Sequence, residues 1–126
     1  MKQTIIMIVC IFILVVGGVA EVKYLQKSSR YIMTDMDYIQ NAIENDNFEL
    51  AKEQIEKSYD TWSKIKNIWN MFIVHDEIDD IEQSMIELRE YIKFENTEEC
   101  IVSISKVKEF LDHTVKRQEV RMDNIL

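Results

Sequence analysis

The densest group of side chains able to do chemistry surrounds His75, near the middle of the chain. Four acids follow this histidine within five residues, at Asp76, Glu77, Asp79 and Asp80. An imidazole combined with carboxylates can ligate zinc or another divalent cation. A metal site is therefore the most specific chemistry that the sequence offers, and it requires several of these side chains to share one face of a helix.

Helical spacing selects four candidate metal ligands. Asp79 and Glu82 follow His75 at i+4 and i+7, which places the three side chains on one helical face. The second histidine, His113, comes level with Ile78 if the last two predicted helices pair about a turn at residues 95–96. The candidate set is therefore His75, Asp79, Glu82 and His113.

Other features favour a structural role for His75. Its register matches that of Ile78 and Met85, as expected of a hydrogen-bonded histidine at the edge of a core. The two histidines lack the HExxH spacing, and the acidic run lacks the central glycine of a calcium-binding loop. We expect the acids to stabilise a helix N-terminus, and we expect no bound metal.

The two cysteines give little support to enzymatic chemistry. Cys10 lies in an uncharged apolar segment and Cys100 on the apolar stripe of the last predicted helix, so we expect no disulfide. No glycine follows Gly18, which excludes a glycine-rich phosphate loop in the rest of the chain. We therefore expect a protein that is not an enzyme, with no catalytic residues and no cofactor.

Trp62 and Trp69, the two tryptophans of the chain, lie at i and i+7 on one predicted helical stripe. Such a pair usually anchors a core, and its functional alternative is an exposed aromatic ridge that binds a partner. If the second and third helices fold back near Val74, Trp62 comes level with Met85 and Trp69 with Ile78. The predicted core or interaction residues are Trp62, Trp69, His75 and Met85.

Composition predicts an all-α fold. The chain has no proline and only two glycines, Gly17 and Gly18, so the strongest helix breakers are absent from residue 19 onwards. Helix starts are indicated at Asp46, Asp76 and Asn96, the first and last with an acid three residues later, as in a capping box. Four apolar stripes follow helical spacing: Ile32, Met36, Ile39 and Ile43; Phe48, Ala51, Ile55, Ser58, Trp62, Ile65, Trp69 and Phe72; Ile78, Ile81, Met85, Leu88 and Ile92; and Cys100, Ile104, Val107, Leu111 and Thr114.

A weak internal repeat relates the two halves of this pattern. Ile32 and Met36 match Ile81 and Met85 at a spacing of 49 residues, and the rest of both stripes follows. Coincidental alignment of two amphipathic hairpins is the alternative to a duplication. We expect a transmembrane helix followed by two antiparallel helical hairpins, forming either a four-helix bundle or a short tetratricopeptide-like stack.

Residues 4–20 form an uncharged apolar run. Its 17 residues span about 25 Å as a helix, against a hydrocarbon core of about 30 Å, and Val22, Tyr24 and Leu25 can extend it. Nothing after the run breaks a helix, so it can continue into the first stripe. A signal peptide cleaved after Ala20 is the alternative. We expect an uncleaved anchor at residues 1–27 and an acidic helical domain at residues 28–126.

Charge restricts the partners of this domain. All 23 acids and all but one of the 15 bases lie at Glu21 or later, which gives that part a net charge of −9. Such a domain repels nucleic acid and, beyond its first turns, anionic lipid, so we expect no nucleic-acid partner. Lys23, Lys27 and Arg30 mildly favour a cytoplasmic domain by the positive-inside rule. The short polar N-terminus instead resembles an exporting signal anchor, and we expect a single-pass protein of the cell membrane with an extracytoplasmic domain.

The order and spacing of several residues resemble a known family over the whole chain. These are Trp62, Trp69 and His75, the following Glu77-Ile78-Asp79, and the terminal Asn124-Ile125-Leu126. The pattern resembles domain-of-unknown-function family 4363, small single-anchor membrane proteins of spore-forming Firmicutes. The family has no established activity, so the resemblance implies no catalytic residue. It implies a membrane-protein partner, because genes of this kind often neighbour genes for YetF-like membrane proteins.

These observations predict a membrane-tethered helical module that binds or positions another membrane protein. One alternative is an extracytoplasmic sensor-like bundle that holds a small ligand between its helices, although the chain shows neither a second membrane span nor an output domain. A second alternative is a metal-binding enzyme centred on His75. The sequence leaves the identity of the partner and the oligomeric state open.

Overall fold

The chain is almost entirely helical. The computed structural model describes residues 1–125, in which four helices follow one another with short connections. Their bounds are α1 Lys2–Glu44, α2 Phe48–Trp69, α3 His75–Lys93 and α4 Thr97–Ile125. The predicted all-α fold is confirmed, and the described part of the chain contains no strand.

Helix α1 runs without interruption for 43 residues. At 1.5 Å per residue, it is about 65 Å long. Gly17 and Gly18 lie inside it, and a cost of about 1 kcal/mol for each helical glycine does not break so long an element. The apolar run and the first amphipathic stripe are therefore parts of one rod, as the absence of a helix breaker between them predicts.

Packing of the bundle begins well before residue 28, where the sequence placed the start of the domain. Leu25 is fully buried, and Tyr24 is partly buried against the core. Gly18 faces the tip of Met122 on α4, where an added Cβ would stand 2.6 Å from Met122 Cε. Tyr24 and Leu25 thus belong to the bundle rather than extending the apolar run, because α4 reaches back along α1 as far as residue 18.

The helices form a closed ring in which each contacts its two neighbours. Both α1 and α3 pack against α2 and α4. Within residues 1–125 the diagonal pairs, α1 with α3 and α2 with α4, do not approach each other closely. This is the connectivity of an up-down-up-down four-helix bundle, whereas a tetratricopeptide-like stack would leave α1 and α4 apart. Of the two predicted architectures, the structure shows the four-helix bundle.

The α1–α2 and α3–α4 connections are the same turn. In each, a residue with left-handed φ follows the helix, Asp46 at 55° and Glu95 at 54°. The next residue, Asn47 or Asn96, donates its backbone N–H to the carbonyl five residues earlier, at 2.8 and 3.1 Å. This pattern is a Schellman motif. The two turns are 49 residues apart, so the repeat seen in the sequence is also present in the backbone.

The asparagines of these turns also cap the helices that follow. Asn47 Oδ1 accepts a hydrogen bond from the N–H of Leu50, and Asn96 Oδ1 accepts one from Glu99, both at 3.2 Å. The predicted cap at Asn96 is confirmed. The predicted cap at Asp46 is wrong by one residue, because Asp46 occupies the left-handed position that ends α1.

The core follows the predicted stripes closely. Every stripe residue is buried except Phe48 and Phe72, which are partly buried. The α2–α3 connection, residues 70–74, is built differently from the other two turns. Ile73 within it is buried, and Val74 precedes α3 without a side-chain cap. This connection therefore lies outside the 49-residue repeat, as does the part of α1 before residue 26.

Candidate functional site

His75 lies on the surface, which corrects its predicted place at the edge of the core. It is the first residue of α3, and its side chain is 76% exposed. Helical register aligns it with Ile78, but a side chain in the terminal turn can project beyond the packed part of the bundle. Its Nε2 lies 3.6 Å from Asp79 Oδ2. Ile73, two residues before His75, is buried instead.

The candidate metal ligands contact different partners and do not converge on one point. Glu82 binds the Lys66 ammonium through both carboxylate oxygens, each at 2.9 Å, and this hydrogen bonding raises the pKa of Lys66. His113 lies on α4, where its Nε2 is 3.1 Å from the guanidinium of Arg117. In residues 1–125, no group of three or more His, Cys, Asp or Glu side chains is placed to hold a metal ion. The structure therefore does not bring His75, Asp79, Glu82 and His113 together.

A cleft of about 390 Å³ lies between the start of α3 and α4. His113 lines it together with Asp76 and Asp80, as the predicted pairing of the last two helices requires. Arg117 spans the cleft and pairs with Glu77. The cleft is therefore crossed by an ion pair that ties α4 to the first turn of α3.

Trp62 and Trp69 lie in the core. Both are fully buried, and their rings meet edge to face with centroids 5.5 Å apart. Trp69 Nε1 donates a hydrogen bond to Ser28 Oγ on α1 at 2.9 Å. Trp62 Nε1 is buried without a hydrogen-bond partner in the described part of the chain. Both tryptophans are therefore core residues and do not form an exposed aromatic ridge. Met85 is fully buried too.

Cys100 is a buried thiol with little nucleophilic character. Burial raises its pKa to about 11, so it is protonated at neutral pH and lacks the reactive thiolate. Cys10 is exposed on the N-terminal part of α1, and both cysteines are free. The cysteines therefore do not form a disulfide in this structure, as their sequence context predicts.

The most extensive exposed apolar surface is the N-terminal part of α1. Residues 5–19 carry eleven large apolar side chains that are each at least 37% exposed. A window of 18 residues in this helix has a mean hydropathy of 2.9, and none of it is buried in the protein. Among the described helices, α1 is the one whose length and composition suffice to cross a membrane.

A line of tyrosines continues along α1 from this apolar surface onto the bundle. Tyr24, Tyr31 and Tyr38 recur every seven residues, close to two helical turns, and so lie along one side of the helix. Tyr31 is 58% exposed and Tyr38 is 48% exposed. Sequence reasoning missed this tyrosine line, although the heptad spacing was a readable signal.

Sequence reasoning also missed the polar contacts that join the helices. Ser58 of α2 donates a hydrogen bond to Asp35 of α1 at 2.8 Å, and Gln26 of α1 donates one to Glu119 of α4 at 2.7 Å. A serine on an apolar stripe indicates that some polar partner exists. The partner itself can be identified only after the helices have been paired.

The fold and its surface define a class of protein: a small four-helix bundle whose first helix continues as an exposed apolar segment. The chain belongs to the family described as Domain of unknown function (DUF4363), whose model matches residues 19–125. The predicted family is thereby confirmed over residues 19–125, whereas residues 1–18 lie outside the match and Leu126 of the terminal pattern lies outside the described residues. The match begins one residue after Gly18, where α4 first meets α1. No curated protein and no solved structure matches the chain.

Proposed function

We propose that this protein is a membrane-tethered helical module that binds or positions another membrane protein. The observation that carries the proposal is the continuity of α1, which passes from an exposed apolar segment into the bundle core as one helix. A flexible linker would let a tethered domain move freely relative to the bilayer. A membrane span that is also a core helix holds the bundle at a fixed height and orientation, which suits a positioning role.

The tyrosine line is the surface that we propose for the partner. It lies on the helix that enters the membrane, so a partner helix beside α1 could follow it from lipid into water. Tyrosine is enriched in protein interfaces because it combines a large apolar ring with a polar tip. Tyr31 also shares a shallow depression with Lys27 and Arg30, which would offer such a partner cationic contacts.

We further propose that the bundle faces the extracytoplasmic side of the cell membrane. Lys2 is the single charged side chain before the apolar run, as in signal anchors that export the domain on their C-terminal side. Lys23, Lys27 and Arg30 oppose this orientation under the positive-inside rule. Acids dominate the remainder of the bundle, and translocation depends little on acidic residues.

Site-specific photo-crosslinking in native membranes tests the interaction. A photoreactive residue at Tyr31 or Tyr38 should give one discrete adduct, of the same partner from both positions. Phe94 is the control, since it is 78% exposed and lies in the connection between α3 and α4 rather than on α1. Adducts equally strong from Phe94, or none from either tyrosine position, would show that the tyrosine line is not the interface.

A further inference from the structure

We propose that the α2–α3 connection, residues 70–74, is a second point of contact with the lipid bilayer. This inference rests on the proposed membrane span of α1 and adds a contact to it. The bundle would then be held at two places, by the span itself and by an apolar loop resting in the headgroup layer. Two points of attachment would fix the tilt of the bundle as well as its height above the membrane.

The loop lies at the end of the bundle from which the apolar segment leaves. Helix α2 runs antiparallel to α1, and the hydrogen bond from Trp69 to Ser28 places the last turn of α2 beside Ser28. The connection begins at the next residue, Asn70. The other two connections, at residues 45–47 and 94–96, lie at the opposite end, because all four helices run up and down.

The loop is close enough to reach the headgroups. Ser28 lies eight residues beyond Ala20, the last residue of the uncharged run, or about 12 Å along α1. The loop continues past Trp69 towards Ala20 by about one helical turn, which leaves its tip about 7 Å from the end of that run. The headgroup layer on each side of a bilayer is about 5–7 Å thick. The tip of the loop therefore lies at the outer part of that layer, while the end of α4, where Met122 meets Gly18, reaches further towards the apolar run.

The loop presents apolar side chains to its surroundings. Met71 is 80% exposed and Val74 is 49% exposed, and Ile68 in the preceding turn is 42% exposed. Residues 67–74 carry no charge. By contrast, the turns at the other end contain Asp46 and Glu95 at their tips. An exposed uncharged loop at one end of the bundle is the chemistry expected where that end faces lipid.

The contact should depend on apolar insertion and not on lipid charge. Asp76, Asp79 and Asp80 follow the loop, and the chain from Glu21 onwards carries a net charge of −9. Anionic lipid would repel this surface. We therefore take a zwitterionic phosphatidylcholine bilayer as the lipid that the loop contacts.

Nitroxide accessibility in reconstituted full-length protein tests the proposal. The background is Cys10→Ser, since Cys100 is buried and stays unlabelled. Met71→Cys and Val74→Cys report on the loop, Phe94→Cys reports on the exposed opposite end, and Ile11→Cys reports on the apolar segment. Each spin-labelled protein is placed in phosphatidylcholine vesicles, and its relaxation by oxygen, which concentrates in lipid, is compared with that by a water-soluble nickel chelate.

We expect the two loop positions to be at least threefold less accessible to the nickel chelate than Phe94, and more accessible to oxygen. Loop labels as accessible to the chelate as Phe94, while the Ile11 label remains in lipid, would overturn the loop contact and leave the span standing. An Ile11 label exposed to the chelate would overturn both the loop contact and the proposed membrane span.

Discussion

Trp62 and Trp69 are packed against each other but differ in one hydrogen bond. Trp69 Nε1 donates to Ser28 Oγ at 2.9 Å, and that hydroxyl donates to the Tyr24 carbonyl at 2.7 Å. The chain of bonds ties α2 to α1 at the end of the bundle from which the apolar segment leaves. Trp62 has no such partner in the described residues, so its buried N–H opposes folding by about 1–3 kcal/mol.

Matched substitutions isolate this difference. Trp69→Phe and Trp62→Phe remove similar volumes from the core, but only the first breaks a hydrogen bond. We expect Trp69→Phe to lower the free energy of unfolding by about 2–4 kcal/mol more than Trp62→Phe does, because the first loses a hydrogen bond and the second removes an unpaired buried N–H. Denaturant unfolding of the full-length protein in mild detergent measures both. Equal losses would mean that the bond to Ser28 contributes nothing.

Because His75 lies on the surface, its substitution should change the free energy of unfolding only slightly. Its contact with Asp79 is an exposed i,i+4 pair, which contributes little to stability. We expect His75→Ala to change the free energy of unfolding by no more than about 0.5 kcal/mol, the usual range for surface substitutions. Thermal unfolding checks this. A loss of about 1–3 kcal/mol would instead indicate a buried, hydrogen-bonded imidazole.

The buried thiol of Cys100 should be unreactive in the folded protein. Its pKa of about 11 leaves almost no thiolate at pH 8. In a Cys10→Ser background, we expect a maleimide reagent to label Cys100 only after denaturant is added. Because burial raises this pKa from the ordinary thiol value of 9.0, the contribution of Cys100 to stability is complete below pH 9.0 and is lost as the pH rises from there through about 11. Rapid labelling at pH 8 without denaturant would contradict the buried environment.

Among the helices, α1 is unusual in carrying two adjacent glycines, and these have different surroundings. Gly18 lies against Met122, whereas no described atom stands within 4 Å of a Cβ added at Gly17. We expect Gly18→Leu to push the last turns of α4 away from α1, while Gly17→Leu leaves them in place. Faster amide hydrogen exchange over residues 118–124 in Gly18→Leu alone would show this. Identical exchange in both variants would mean that the close approach of α4 does not depend on Gly18.

The helical stripes could be predicted from the sequence because burial follows helical periodicity directly. Ile78, Met85 and Ile92 are buried as their spacing requires. Periodicity failed at His75, since a residue in a terminal turn keeps the register of the stripe but has lost its neighbours. It failed at Leu25 for the opposite reason, because an apolar residue beside an apolar run looks the same whether it meets lipid or α4.

The choice between a bundle and a stack depended on contacts that no local pattern contains. Both architectures need the same four stripes, and they differ in whether α1 and α4 are neighbours. Residues such as Gln26 and Glu119 make that contact, but they lie 93 positions apart and are polar residues of ordinary type. The candidate partner surface was missed for a related reason: Tyr31 and Tyr38 are recognisable as exposed only once the buried sides of α1 are known.

In the molecule as a whole, α1 gives the protein its two-part character. One part of the helix is an apolar surface that the described residues leave exposed, and the other part is a wall of the four-helix bundle. The apolar surface is incompatible with a long-lived exposure to water. A membrane-tethered bundle therefore requires that this part of α1 stays with the chain and lies in a bilayer.

The mass of the protein in carbonate-washed native membranes shows whether the apolar segment is retained there. Alkaline carbonate removes peripheral proteins, whereas a protein with a membrane-spanning helix stays in the membrane pellet. We predict that the pelleted protein keeps its N-terminal segment and has the full mass of 15.0 kDa. A protein released into the supernatant, with a mature N-terminus at Glu21, would contradict the membrane-tethered bundle.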